Sequence, residues 1–131
     1  MNGNKKAKLI LKILNKIYPT TPIPLKHTNN FTLLISVLLS AQCTDLNVNN
    51  VTKNIYPKYN KPKHFVKLGR KKIEKLIKSI GLFRVKAKSV FFLSKQLIKK
   101  HNGKVPKTFE ELEALPGVGH KTASVVMSQA F

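Results

Sequence analysis

The sequence predicts an all-α fold. Apolar residues recur at helical spacing in one segment after another, no stretch alternates apolar and polar residues at period two for long, and prolines and glycines fall between the periodic stretches. About seven or eight helices joined by short loops account for the pattern. The 131 residues have room for one domain of ordinary size.

Leu9, Ile10, Ile13, Leu14 and Ile17 share one face of a first helix, with lysines on the other, and Pro19, Pro22 and Pro24 end it. Residues 31–39 are apolar nearly all round, Ser36 being the main exception, which predicts a buried central helix. Thr44 is an N-cap for a helix reaching Tyr56, where Pro57 stops it. Ile73, Leu76, Ile77 and Ile80 form another apolar face, with Gly81 as its C-terminal cap. Val90, Phe91, Leu93, Leu97 and Ile98 continue the pattern over 85–98, and His101-Asn102-Gly103 closes it. Thr108 and Glu111 stand at capping-box spacing and open a short helix through Leu115. A last helix runs over 119–131 and reaches Phe131 with no polar exit or basic last turn; the expectation is that the chain is the front part of a longer protein.

An apolar content of 42% supports a packed core over disorder. The single cysteine excludes an intrachain disulfide framework and any zinc or iron–sulfur site made of this chain's thiolates alone. No apolar run approaches the roughly 20 residues of a membrane helix, and no signal-peptide pattern opens the chain. A cytoplasmic protein without membrane attachment is expected. The formal charge is +20, so a polyanionic partner is the leading expectation, ahead of an anionic membrane surface. Codon bias toward lysine is the competing explanation. Residues 108–131 weigh against uniform bias, because they hold Glu110, Glu111 and Glu113 against Lys121 alone.

Leu115-Pro116-Gly117-Val118-Gly119 joins two helical patterns. Glycines there permit positive φ and close approach of the backbone, and the second helix begins with free N–H groups and a positive dipole end. Such a hairpin holds a phosphate backbone without reading sequence; the five residues alone fit an ordinary interhelix turn equally well. Lys121 sits two residues into the second helix. A lysine amine beside a phosphate-holding turn is the nucleophile of Schiff-base chemistry at a sugar C1′. The alternative is a phosphate-binding surface lysine.

Leu38-Leu39-Ser40-Ala41-Gln42-Cys43-Thr44-Asp45 together with Leu115-Pro116-Gly117-Val118-Gly119-His120-Lys121-Thr122-Ala123 resembles the endonuclease III family, a bifunctional branch of the helix–hairpin–helix DNA glycosylases. Ile80-Gly81-Leu82 and His101-Asn102-Gly103-Lys104-Val105-Pro106 match in the same order. The resemblance implies a six-helix barrel over 23–131, ending in the hairpin, preceded by a helix and linker over 1–22 that would pack on a further C-terminal domain. It implies base excision repair of duplex DNA carrying damaged pyrimidines or abasic sites, by a monomer associated with the nucleoid. Lys121 would form the Schiff base, and β-elimination would break the strand. Gln42 would fill the space of the flipped nucleotide and Leu82 would wedge into the opposite strand. Gly117, Val118, Gly119 and His120 would hold phosphate. Read without the resemblance, Gln42 is a helix cap and Leu82 a core residue. Asp45 reads as a helix-start residue and Cys43 as a packed hydrophobe. His120 stands where the family pattern leads one to expect Arg. The family's catalytic Asp and the four cysteines of its [4Fe–4S] cluster would follow Phe131, so no cofactor or metal is expected on this chain. A duplex-binding remnant without catalysis is the alternative.

Overall fold

A computed structural model describes residues 25–131; the predicted helix and linker over 1–22 lie outside the described residues. Among them the fold is all-helical, with no strand. In chain order the helices are α1 (Asn30–Leu39), α2 (Asp45–Thr52), α3 (Pro62–Leu68), α4 (Arg70–Leu76), α5 (Phe83–His101), α6 (Phe109–Glu113) and α7 (His120–Ala130). The central position expected of the 31–39 run holds. Every residue of α1 after Asn30 is buried, and α1 packs against α2, α5 and α7. α3 and α4 pack on α5, and α6 packs on α7.

An all-round buried helix must satisfy its polar residues internally. Tyr56 donates to the Thr32 carbonyl at 3.0 Å, and its hydroxyl lies 2.5 Å from Ser36 Oγ, which also lies 3.2 Å from the Lys26 carbonyl and shares its one proton between the two. Burial pushes the Tyr56 hydroxyl far above its ordinary range, so it stays a donor. Asn29 and Thr32 close α1 with a capping box: Thr32 N–H donates to Asn29 Oδ1 at 2.8 Å and Asn29 N–H to Thr32 Oγ1 at 3.0 Å.

Thr44 caps α2 as expected, accepting from Asn47 N–H at 3.1 Å. The helix is shorter than the predicted run to Tyr56. Its end tightens into i→i+3 turns, with Asn54 N–H on Val51 and Ile55 N–H on Thr52, before Pro57. α3 has no counterpart among the predicted helices: it is seven residues long and is started by Pro62 at its first position rather than by a side-chain cap. Gly81 is not the cap of α4. That helix ends at Ile77, and Ile77 and Ile80 stay buried through a turn instead. α5 begins earlier than expected, at Phe83, and buries Ala87, Val90, Leu93 and Leu97, whereas Ile98 is left exposed. It stops where Asn102 and Gly103 take positive φ and Gly103 N–H returns to the Leu97 carbonyl at 2.8 Å. Thr108 caps α6, but Glu111 reaches its hydroxyl (3.0 Å) rather than its amide.

Candidate nucleic-acid interface

The hairpin between α6 and α7 is anchored by its apolar members. Leu115 and Val118 are buried, and Val118 N–H closes the turn on the Leu115 carbonyl at 3.2 Å. Val118 thus gives both its side chain and its amide to the turn, although phosphate contact was expected of it.

Gly117 and Gly119 have different tasks. Gly117 has φ +79°, and a Cβ there would lie 2.6 Å from Ser89 Cβ on α5 and 3.2 Å from Leu38 Cδ1 on α1. The close approach it permits is to the protein's own helices. Gly119 has φ −94°, an ordinary value for any residue, and a Cβ there would meet nothing within 4 Å. It faces open space at the N-terminus of α7, where no side chain caps the first-turn amides. Uncapped amides and the positive end of an 11-residue helix are the chemistry that an anion-binding surface requires.

Lys121 is exposed on that first turn. His120 is 76% exposed at its side chain; its Nδ1 and Glu113 Oε2 lie 2.6 Å apart, and its ring lies 5.3 Å from Phe109. Glu113 therefore engages one ring nitrogen of His120, which leaves Nε2 as the atom for an outside acceptor.

A second exposed group lies where the turn after α1 meets the turn before α5. Gln42 has φ +57° and Leu82 φ +60°, both left-handed and neither a glycine. Leu82 is 55% exposed, which removes the core reading. Gln42 does not cap α1, since Ser40 holds that place. A Cβ at Gly81 would stand 3.8 Å from the Gln42 carbonyl oxygen, so the two turns touch beside the two side chains. Asn47 ties them further, donating to the Ser79 carbonyl at 3.2 Å and to Cys43 Sγ at 3.4 Å. Cys43 is partly buried and packs against the core.

Lys86 is the residue that the sequence did not single out. It is 5% exposed, and its Nζ donates to the Leu39 carbonyl at 2.9 Å and to the Ala41 carbonyl at 2.5 Å. Burial pushes its ammonium below the ordinary lysine range. The signal was spacing: Lys86 falls on the buried stripe formed by Val90, Leu93 and Leu97. Ser89, one turn further on the same helix, is the residue that Gly117 abuts. Among the described residues the ion pairs are Arg70–Glu74 (3.4 Å) and His120–Glu113, and the remaining bases have no carboxylate partner. Among the same residues no helix is long and apolar enough to cross a membrane, and no group of three metal-ligating side chains gathers.

Residues 35–127 match the family described as HhH-GPD superfamily base excision DNA repair protein. The chain is 46% identical over 122 residues to Endonuclease III of Rickettsia prowazekii (strain Madrid E), covering 93% of this chain and 58% of that one. It is 44% identical over 127 residues to Endonuclease III of Bacillus subtilis (strain 168), covering 97% and 58%. The fold is similar to the solved structure of a non-covalent Endonuclease III–DNA complex, with a TM-score of 0.84 and 46% identity over 97% of this chain and 59% of that one. It is also similar to a thermostable thymine-DNA glycosylase, with a TM-score of 0.78 and 29% identity over 100% and 62%. The chain thus spans less than two thirds of the length of these relatives.

Proposed function

The chain belongs to the HhH-GPD superfamily of base excision DNA repair proteins, and from that premise we propose that it grips duplex DNA at a damaged pyrimidine or abasic site and cleaves the abasic strand through a Schiff base on Lys121. The observation that carries this reading is the exposed Lys121 on the first turn of α7, directly after Gly119 and the uncapped amides. A phosphate held on those amides brings a neighbouring sugar to the amine.

The target nucleotide leaves the stack, because its glycosidic carbon is unreachable inside the duplex. Gln42 occupies the vacated space and Leu82 separates the opposite strand. At an abasic site the ring-opened sugar offers an aldehyde at C1′. The Lys121 amine adds to it and water leaves, giving an iminium ion. Loss of a C2′ proton then expels the 3′ phosphate, and hydrolysis returns the amine. Base excision asks more, since the nitrogenous base must leave C1′ as the amine arrives. Cys43 is the chain's single cysteine, so its own residues do not supply the four thiolates of the family's cluster, and none of these steps passes through one.

Borohydride reduction on an abasic duplex tests the reading. The wild-type chain is expected to become covalently attached to the strand, with Lys121→Gln abolishing attachment and leaving duplex affinity largely intact. Attachment that persists undiminished in Lys121→Gln overturns the assignment. Duplex binding without any attachment in the wild type leaves a DNA-binding protein without lyase chemistry.

A further inference from the structure

We propose that Lys86 is a positioning residue that holds Gln42 and Leu82 together in the geometry in which they meet the duplex. The proposal rests on the DNA-binding reading above and adds to it a residue that itself touches no nucleotide.

Lys86 reaches both members of the pair through different atoms. Its backbone N–H donates to the Leu82 carbonyl at 2.9 Å, the first hydrogen bond of α5. Its Nζ donates to the Ala41 carbonyl, which belongs to the peptide bond that leads into Gln42. A third bond, to the Leu39 carbonyl, satisfies an acceptor that the end of α1 leaves open. One residue thus ties the peptide before Gln42 to the carbonyl of Leu82.

Both held residues need such a tie. A left-handed backbone crowds the Cβ of an ordinary residue against its own carbonyl, and it persists only where surrounding contacts fix it. Leu82 is more than half exposed, so packing of its own side chain does not fix it. A buried lysine is an expensive way to close a helix, and an apolar residue at that stripe position would serve packing better. None of the five acids of the chain forms an ion pair with it; the ion pairs among the described residues lie elsewhere. Two of its Nζ donors go to the carbonyls of Leu39 and Ala41, on the approach to Gln42. Charge-assisted bonds to carbonyls are also stronger than neutral ones, which suits a turn that must resist displacement by DNA.

The test uses the whole chain and a duplex with 2-aminopurine next to a tetrahydrofuran abasic analogue, whose fluorescence rises when the probe base unstacks. The wild type is expected to raise the signal, and Gln42→Ala and Leu82→Ala to reduce it. Lys86→Met is expected to reduce it by about tenfold, in keeping with loss of a charge-assisted bond. Affinity for undamaged duplex, which the hairpin supplies, should stay at the wild-type level. Gln42→Ala should add little in the Lys86→Met background, because a misplaced Gln42 has nothing left to lose. If Lys86→Met does not melt cooperatively, Lys86→Gln keeps a donor with shorter reach and is expected to lose signal in the same direction. A folded Lys86 variant with full signal overturns the inference and leaves the functional reading standing. A parallel fall in signal and in undamaged-duplex affinity overturns it too, as a merely structural role. No signal from the wild type overturns the functional reading itself.

Discussion

The hairpin and the Gln42–Leu82 pair both use left-handed backbone, and they reach it by opposite means. At Gly117 (φ +79°) the conformation costs nothing, because there is no Cβ to crowd. At Gln42 (φ +57°) and Leu82 (φ +60°) it costs about 1–2 kcal/mol per residue. Glycine is the cheaper solution at all three positions. The hairpin needs only its backbone, so it takes that solution. The pair keeps side chains where glycine would be easier, which marks those side chains as the reason for the turns. The same contrast separates a position fixed by packing from one left open to solvent: Gly117 is pinned between Ser89 and Leu38, while Leu82 faces outward.

The largest expected effect breaks the hairpin side of this contrast. Gly117→Ala places a Cβ 2.6 Å from Ser89 Cβ in a left-handed backbone, and should lower stability by about 2–4 kcal/mol in denaturant unfolding. A loss under about 0.5 kcal/mol would mean that α5 yields at Ser89. Gly119→Ala is the matching control. It should leave stability unchanged and weaken duplex affinity by about tenfold, the worth of one lost charge-assisted bond. Its salt dependence should also flatten from a slope near −0.9 per phosphate contacted. Unchanged affinity would remove Gly119 from the contact surface.

Smaller effects test the other side. Leu82→Gly relieves the left-handed strain, adds chain entropy to the unfolded state and removes little buried surface. Stability should therefore change by no more than about 1 kcal/mol, in the favourable direction. The same variant should lose its ability to unstack a neighbouring base. Strong destabilisation would place Leu82 in the core after all.

The smallest effect is on pH. Burial holds Lys86 below its ordinary value of 10.5, so between its lowered value and 10.5 the unfolded chain binds more protons than the folded one. Stability contributed by this group should rise as pH climbs through that window. Subtracting the alkaline profile of Lys86→Met from that of the wild type isolates the effect from the other lysines. A difference that is flat or falls with pH would contradict the burial.

Much of this was legible in the sequence where local chemistry decides. The largely apolar run of α1, the caps at Thr44 and Thr108, and the stop at Asn102-Gly103 each carry their own signal. Gly81 misled, because a glycine after an apolar face reads as a cap, whereas it lies in the turn before α5, against the turn that holds Gln42. α3 was hidden because Pro62 at its start reads as a break and Phe65 is its one buried side chain after that, which sets no period. Lys86 was hidden among 25 basic residues, although its position on the stripe with Val90 and Leu93 distinguished it. What no local pattern displays is which distant carbonyls a long side chain reaches.

The opening turns of α5 act as the bar of a calliper. Leu82 stands at its start, Lys86 fixes the jaw that bears Gln42, and Ser89 seats the jaw that bears Gly117. The spacing of the jaws is therefore written in residue count along one helix. Inserting a single residue between Lys86 and Ser89 would rotate one jaw against the other by about 100°, since a helix turns once per 3.6 residues. Lengthening the loop between α5 and α6 would leave the setting untouched. Relatives that keep both jaws should thus vary freely in that loop and hold the count from Leu82 to Ser89 constant, whatever the side chains between them.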